Sequence, residues 1–107
     1  MSERAAFVYK ILTGAEWSRL EKTGQFAGSS ADLRDGFVHL STLEQLPGTL
    51  AKHFSGRSGL VLVEIASAGL GDALRWEVSR GGAFFPHLYR ALEWDDVRLH
   101  SSDPSFG

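Results

Sequence analysis

The stretch Leu60-Val61-Leu62-Val63-Glu64-Ile65 decides the fold. It is short, apolar at nearly every position and rich in β-branched residues, so it reads as a strand. A run that is apolar on both alternations belongs to a central strand covered on both faces. Working outward toward the N-terminus, Phe7-Val8-Tyr9-Lys10-Ile11-Leu12 reads as a first strand. Thr13 follows as a helix N-cap, and Glu16 three residues later completes a capping box. Leu12 and Trp17 occupy the positions of a hydrophobic staple, and Trp17 and Leu20 share a helical face. Gly24 is placed to end that helix.

Residues 25–36 hold Gly28, Ser29, Ser30, Asp32, Asp35 and Gly36 and read as mostly loop. Phe37-Val38-His39-Leu40 reads as a short strand. Ser41 and Thr42 then stand as caps, matched by Glu44 and Gln45 three residues on. Leu43, Leu46, Leu50 and Phe54 form an apolar helical stripe. Pro47 either kinks one helix or opens one; the favoured reading is a helix over residues 47–54 after a separate turn.

On the C-terminal side, residues 66–72 read as loop. Leu74-Arg75-Trp76-Glu77-Val78 alternates as a strand, and Gly81-Gly82 breaks the chain. Residues 86–92 resume as a strand, and Val97-Arg98-Leu99-His100 closes the sheet. The pattern predicts an α+β fold: a small twisted sheet, mixed or antiparallel, with two early helices packed on it. At 107 residues the chain is expected to be a single domain, ordered over about residues 7–100, with a small polar tail over residues 101–107.

Composition excludes several function classes. There is no cysteine, so thiol nucleophiles, disulfides and cysteine metal sites are absent. The formal net charge of −2 argues against a protein bound mainly to nucleic acid phosphates. No run of about 18 apolar residues is present, so no membrane span is expected. The start does not read as a signal peptide, and a cytoplasmic location is the expectation. Phosphate-loop, dinucleotide and nucleophile-elbow motifs are missing.

Three segments carry candidate chemistry. In the first, His39 sits on a short strand before the hydroxyls of Ser41 and Thr42. A neutral imidazole donates and accepts together, which suits holding a ribose hydroxyl or moving a proton. The helix start after the hydroxyls offers backbone N–H groups to an anion. Equally, His39 reads as a structural histidine and the hydroxyls as simple caps. In the second, Glu77 alternates off the apolar face and Arg80 follows near a glycine pair, a set that would take a polar or phosphorylated substrate. A solvated strand edge with a tight hairpin is the plainer reading. In the third, Phe84-Phe85-Pro86-His87-Leu88-Tyr89 places two aromatics where they pack inward or line a cleft, and puts His87 and Tyr89 on one face. His53 reads as a surface or packing residue. No close metal-ligand spacing links the histidines, so no metal site is expected.

Tyr9-Lys10-Ile11, Trp17, Gly24-x-Phe26-x-Gly28, Asp32-x-x-Asp35-Gly36-Phe37-Val38-His39-Leu40-Ser41-Thr42, Gln45, His53-Phe54, Trp76-Glu77 and Phe85-Pro86-His87-Leu88-Tyr89 resemble the bacterial and plant family catalogued as domain of unknown function 952. Arg90 stands where a glycine usually follows, a change expected to narrow a cleft edge. The family has no established activity. The resemblance implies an ADP-ribosyltransferase-like fold, in which a strand-borne residue holds the nicotinamide-side ribose of NAD and a later Glu completes the site. By position His39 resembles the first element, and Glu77 and His87 are candidates for the last. The site expected is therefore His39, Glu77 and His87 for chemistry, with Ser41, Thr42, Arg80, Tyr89, Phe37 and Phe85 around a small-molecule ligand and NAD as a candidate substrate. A transferase or glycohydrolase is one outcome. A non-enzymatic metabolite- or peptide-binding module, or a structural domain that forms a homo-oligomer through a strand edge, is the other.

Overall fold

The computed structural model describes residues 6–102, the side chain of Arg80 excepted. The polar residues 103–107 of the expected tail lie outside that range.

Strand β1 (Phe7–Leu12) pairs with β4 (Val61–Ala66), and β4 pairs on its other side with β8 (Val97–Ser102). The central position expected of the 60–65 stretch is thus occupied by β4. Its alternation shows why: Val61, Val63 and Ile65 are buried in one cluster, while Leu60 and Leu62 join a second. The strand end expected at His100 runs on to Ser102. A second sheet has the order β3 (Val38–His39), β6 (Phe84–Leu88), β5 (Leu74–Val78). A third ribbon joins β2 (Gln25–Phe26) to β7 (Leu92–Glu93). All pairs are antiparallel. One twisted sheet was expected; three small ones are found, because residues 86–92 do not form one strand. The chain bends at Tyr89 and Arg90, and Leu92 restarts against Phe26. Two reciprocal backbone hydrogen bonds between Tyr9 and Ser41, 2.8 and 2.9 Å, tie the first sheet to the second.

The helices are α1 (Gly14–Thr23), α2 (Ser30–Asp35) and α3 (Leu46–His53). The α1 capping box is formed as read: Glu16 N–H donates to Thr13 Oγ1 and Thr13 N–H to Glu16 Oε1. Gly24 ends the helix at φ 83°, a conformation that favours glycine. Helix α3 starts at Leu46 with Pro47 in its first turn, after the separate turn expected. Leu46, Leu50 and Phe54 of the predicted stripe pack against Tyr9 and Ile11 and cover the outer face of β1. Leu43 does not join them and is exposed, because it lies in the turn before the helix.

Helix α2 corrects the expectation of a loop over 25–36. Ser29 caps it, and its partner is Asp32 rather than the usual Glu or Gln. Residues 66–72 are not loop either: 3₁₀ turns cover Ser67–Ala73 and bury Leu70 in the core.

Candidate functional site

The site begins with a lysine on a strand. Val8, Lys10 and Leu12 share one face of β1 by period two. Val8 and Leu12 are fully buried, and Lys10 is 9% exposed between them. A buried ammonium needs a counter-charge. Asp32 on α2 supplies it, with 3.0 Å between Lys10 Nζ and Asp32 Oδ2. Lys10 also donates to the backbone carbonyl of His39 at 2.9 Å, so β1, α2 and β3 meet at one ammonium.

Asp32 accepts more than this ion pair. Ser29 N–H donates to its Oδ2, while His39 N–H and the His39 ring Nδ1 (2.6 Å) both lie on its Oδ1. Burial opposes the charge of Asp32. The His39 hydrogen bond, the Lys10 ammonium and the two backbone N–H groups outweigh burial and hold the carboxyl far below the usual carboxylate range. Gly28 allows this placement: it has φ 137°, and a Cβ there would sit 2.7 Å from Asp32 Cβ.

The other nitrogen of His39, Nε2, is 3.0 Å from Asp35 Oδ2. Asp35 is exposed at the end of α2, and Arg34, then its own partial desolvation and His39, set its carboxyl; the net shift is downward. Across the second sheet His39 is the register partner of His87. The two rings meet edge to face with centroids 5.6 Å apart. His87 Nδ1 lies 2.7 Å from Glu77 Oε1, and the Tyr89 hydroxyl donates to the same oxygen at 2.7 Å. Those hydrogen bonds, His87 first, lower the Glu77 carboxyl, and Glu77 in turn raises the Tyr89 phenol. Phe37 stacks on His87 at 4.0 Å and tilts against His39 at 4.6 Å.

These groups border a cavity of about 270 Å³. His39, Ser41, Phe85 and His87 of the expected site line it. Glu77 does not: it stands behind His87 and orients the ring. Tyr89 holds Glu77, and Phe37 backs both imidazoles instead of forming a wall. Thr42 is corrected as well. Its hydroxyl accepts from Gln45 N–H and its own N–H donates to Gln45 Oε1, so the turn is closed on itself and offers no anion site there. Ser41 caps nothing; its hydroxyl is 2.9 Å from that of Thr49. The Arg80 side chain lies outside the described residues. Phe84, expected to pack inward or line a cleft, is 48% exposed. Arg90 does not narrow the cleft, because it forms a two-pronged ion pair with Asp96 away from the cavity.

Residues outside the expected site also line it: Lys10, Asp32 and Asp35 beneath His39, Tyr9 from β1, Lys52 from α3, and His53, which reads from the sequence as a surface or packing residue. The sequence does carry a signal for Lys10 and Asp32. A lysine in phase with Val8 and Leu12 demands a buried acid, and Ser29-x-x-Asp32 is a cap. Tyr9 donates to Glu64 on β4, and burial together with that bond pushes its phenol up to about 12. Among the described residues no group of three or more His, Asp or Glu is arranged to hold a metal ion.

No curated protein matches this chain. A crystal structure of protein CC0527 from Caulobacter crescentus is similar, at 49% identity and a TM-score of 0.87, covering 90% of this chain and 84% of that one. The solution NMR structure of the same protein gives 48% identity and a TM-score of 0.82, covering 92% and 84%. The family described as protein of unknown function (DUF952) matches residues 11–100, which take in the whole histidine and carboxylate cluster, and the chain belongs to that family.

Proposed function

We propose that this protein binds a small phosphorylated or ribosyl ligand, a nucleotide such as NAD or a part of one, in the cavity between α2, α3 and the second sheet. One observation carries the reading. Two imidazoles open on the same cavity, and each is oriented through its Nδ1 by a carboxylate, Asp32 for His39 and Glu77 for His87. His87 is anchored on one nitrogen only, whereas His39 is held on both, so a ligand oxygen reaches His39 Nε2 by displacing the exposed Asp35. Ser41 and Lys52 add a hydroxyl and a positive charge, and Phe85 and Phe54 add apolar wall. The volume of about 270 Å³ lies just below the usual range of small-molecule sites, so it suits one nucleoside-sized part of a ligand such as NAD rather than the whole dinucleotide.

An ADP-ribosyltransferase-like ancestry fits this reading and makes His39 the residue that holds ribose. Transferase or glycohydrolase chemistry on NAD asks for a carboxylate against the ribosyl carbon. Glu77 is turned toward His87 and away from the cavity, so the geometry favours binding and proton transfer by the imidazoles over that chemistry.

Thermal melting with NAD, ADP-ribose, nucleoside monophosphates, ribose 5-phosphate and inorganic phosphate tests the proposal. A ligand at a hundred times its Kd stabilises the folded state by about 2.7 kcal/mol, a rise of roughly 10 °C in Tm for a domain this size. The rise should disappear in His39→Ala and shrink in Lys52→Ala. No rise with any of these compounds at millimolar concentration refutes the binding reading.

A further inference from the structure

The Asp35 carboxylate lies between two sets of donors. Arg34 Nε donates to its Oδ1 at 3.0 Å and Arg34 Nη2 to its Oδ2 at 3.4 Å, so the guanidinium meets it as a fork. From the other side His39 Nε2 lies 3.0 Å from the same Oδ2. Arg34, Asp35 and His39 all line the cavity. Asp32 is buried and tied to Lys10, whereas Asp35 is exposed at the last position of α2, just before the left-handed Gly36. Exposed ion pairs hold weakly, so the Asp35 side chain swings to solvent at small cost. The charge around the cavity points the same way. Lys10 and Asp32 neutralise each other in burial. With the histidines neutral, the charges left on the described lining are Arg34, Lys52 and Asp35, a surplus of one cation on a chain whose formal net charge is −2.

We propose that Arg34 and His39 Nε2 form an oxyanion subsite for the phosphate of a phosphomonoester, and that Asp35 occupies this subsite until the phosphate displaces it. The inference rests on the ligand reading above and says which group of the ligand meets which wall. A carboxylate and a phosphate present the same chemistry to a guanidinium fork: a pair of oxygens that only accept. Any oxyanion at His39 Nε2 makes the contact that Asp35 makes, so the exchange asks nothing new of the ring. A ribose hydroxyl is neutral and gains far less from the guanidinium. The phosphate therefore takes the position at His39 that a transferase-like ancestry gives to ribose, and the sugar lies toward Ser41, Phe85 and His87.

Asp35 then sets selectivity as well as occupancy. Its charge competes with every incoming anion for the same donors. A ligand carboxylate brings one charge and gains little by displacing another carboxylate. A phosphate dianion brings two, so its attraction to Arg34 is doubled and exceeds that of the group it replaces. Lys52, exposed on α3 at the same cavity, adds to the field that draws the dianion in.

Calorimetric titration of the full chain with adenosine 5′-monophosphate, ribose 5-phosphate and uncharged adenosine tests the subsite. Asp35→Ala removes the competing charge and should lower the Kd of both phosphorylated probes by about tenfold. Arg34→Ala should raise it by about fivefold. Neither change should alter the response to adenosine. Mere damage to the end of α2 weakens binding of every probe, so a gain confined to the phosphorylated ones separates competition from structure. Melting curves without ligand establish that each variant folds; should Asp35→Ala fail to fold, Asp35→Asn keeps the shape, removes the charge and decides the matter. A Kd for adenosine 5′-monophosphate that is unchanged or raised in the folded Asp35 variant overturns the proposal. An equal gain for adenosine overturns it too. In both cases the wild-type chain still binds its probe, so the ligand reading stands and only the subsite falls. If no probe binds the wild-type chain or any variant, both fall.

Discussion

Asp32→Ala is the perturbation that tests the architecture of the site most severely. The Asp32 side chain is 1% exposed and faces Lys10, which is 10% exposed. Removing the carboxylate leaves an ammonium buried between Val8 and Leu12 with no counter-charge. Breaking a buried pair from one side costs about 3–5 kcal/mol. The α2 capping box is lost in the same step, for about 1 kcal/mol more. The expected loss is about 4–6 kcal/mol, a large share of the 5–15 kcal/mol typical of a domain. The Tm should fall by roughly 20 °C. Urea unfolding at pH 7 measures it. The double variant Lys10→Met with Asp32→Leu separates the mechanism, because removing both charges leaves no orphan ion. It should be more stable than Asp32→Ala alone. A loss under about 1 kcal/mol for Asp32→Ala, or a double variant less stable than the single, refutes the reasoning.

Four further outcomes follow from the same geometry. Asp32 has its folded pKa depressed, so its stabilisation is fully present above the unfolded carboxylate value near 4. It is lost as pH falls below that toward the folded value, so the urea midpoint should hold from pH 7 to about 5 and drop steeply below 4. The two tyrosines both have raised phenols, Tyr9 to about 12. Ultraviolet titration should show each tyrosine less than half ionised at pH 10, and the stability these groups add should fade as pH rises past 10; a tyrosine titrating at its ordinary value contradicts the Glu64 and Glu77 bonds. Gly28→Ala forces a Cβ onto Asp32 at positive φ and should cost about 1–3 kcal/mol in unfolding free energy while weakening ligand binding with it. Arg90→Ala removes the Asp96 pair and should lower stability by about 1 kcal/mol while ligand-induced melting shifts stay unchanged.

Local signals were legible wherever local chemistry decides the outcome. The Thr13 and Glu16 cap, the left-handed Gly24, the strand β5 (though Val78, read on its apolar face, is exposed) and the break at Gly81-Gly82 depend on neighbours within a few residues. So does α3 with its leading proline. Helix α2 is not legible because six residues carry little periodic signal, and its cap uses an aspartate that also reads as a loop residue. The end of β6 at Leu88 is not legible within residues 86–92 because Tyr89 and Arg90 have strand-like and neutral propensities. Their bend is set by distant partners, Glu77 for Tyr89 and Asp96 for Arg90.

The candidate site divides in the same way. By itself the sequence singles out His39, His87, Glu77 and nearby hydroxyls as candidates, since no thiol exists to compete and period-two spacing puts His87 and Tyr89 on one face. Which of them line the cavity is decided only in three dimensions. Register pairs His39 with His87, and the Tyr9–Ser41 bridge brings Lys10 under β3. Desolvation then makes Asp32 the hub, because one buried ammonium and one imidazole both need its charge. Such pairings join residues 22 and 10 positions apart, Lys10 to Asp32 and Glu77 to His87. No local pattern encodes them: they exist only once the hydrophobic clusters have packed the two sheets together.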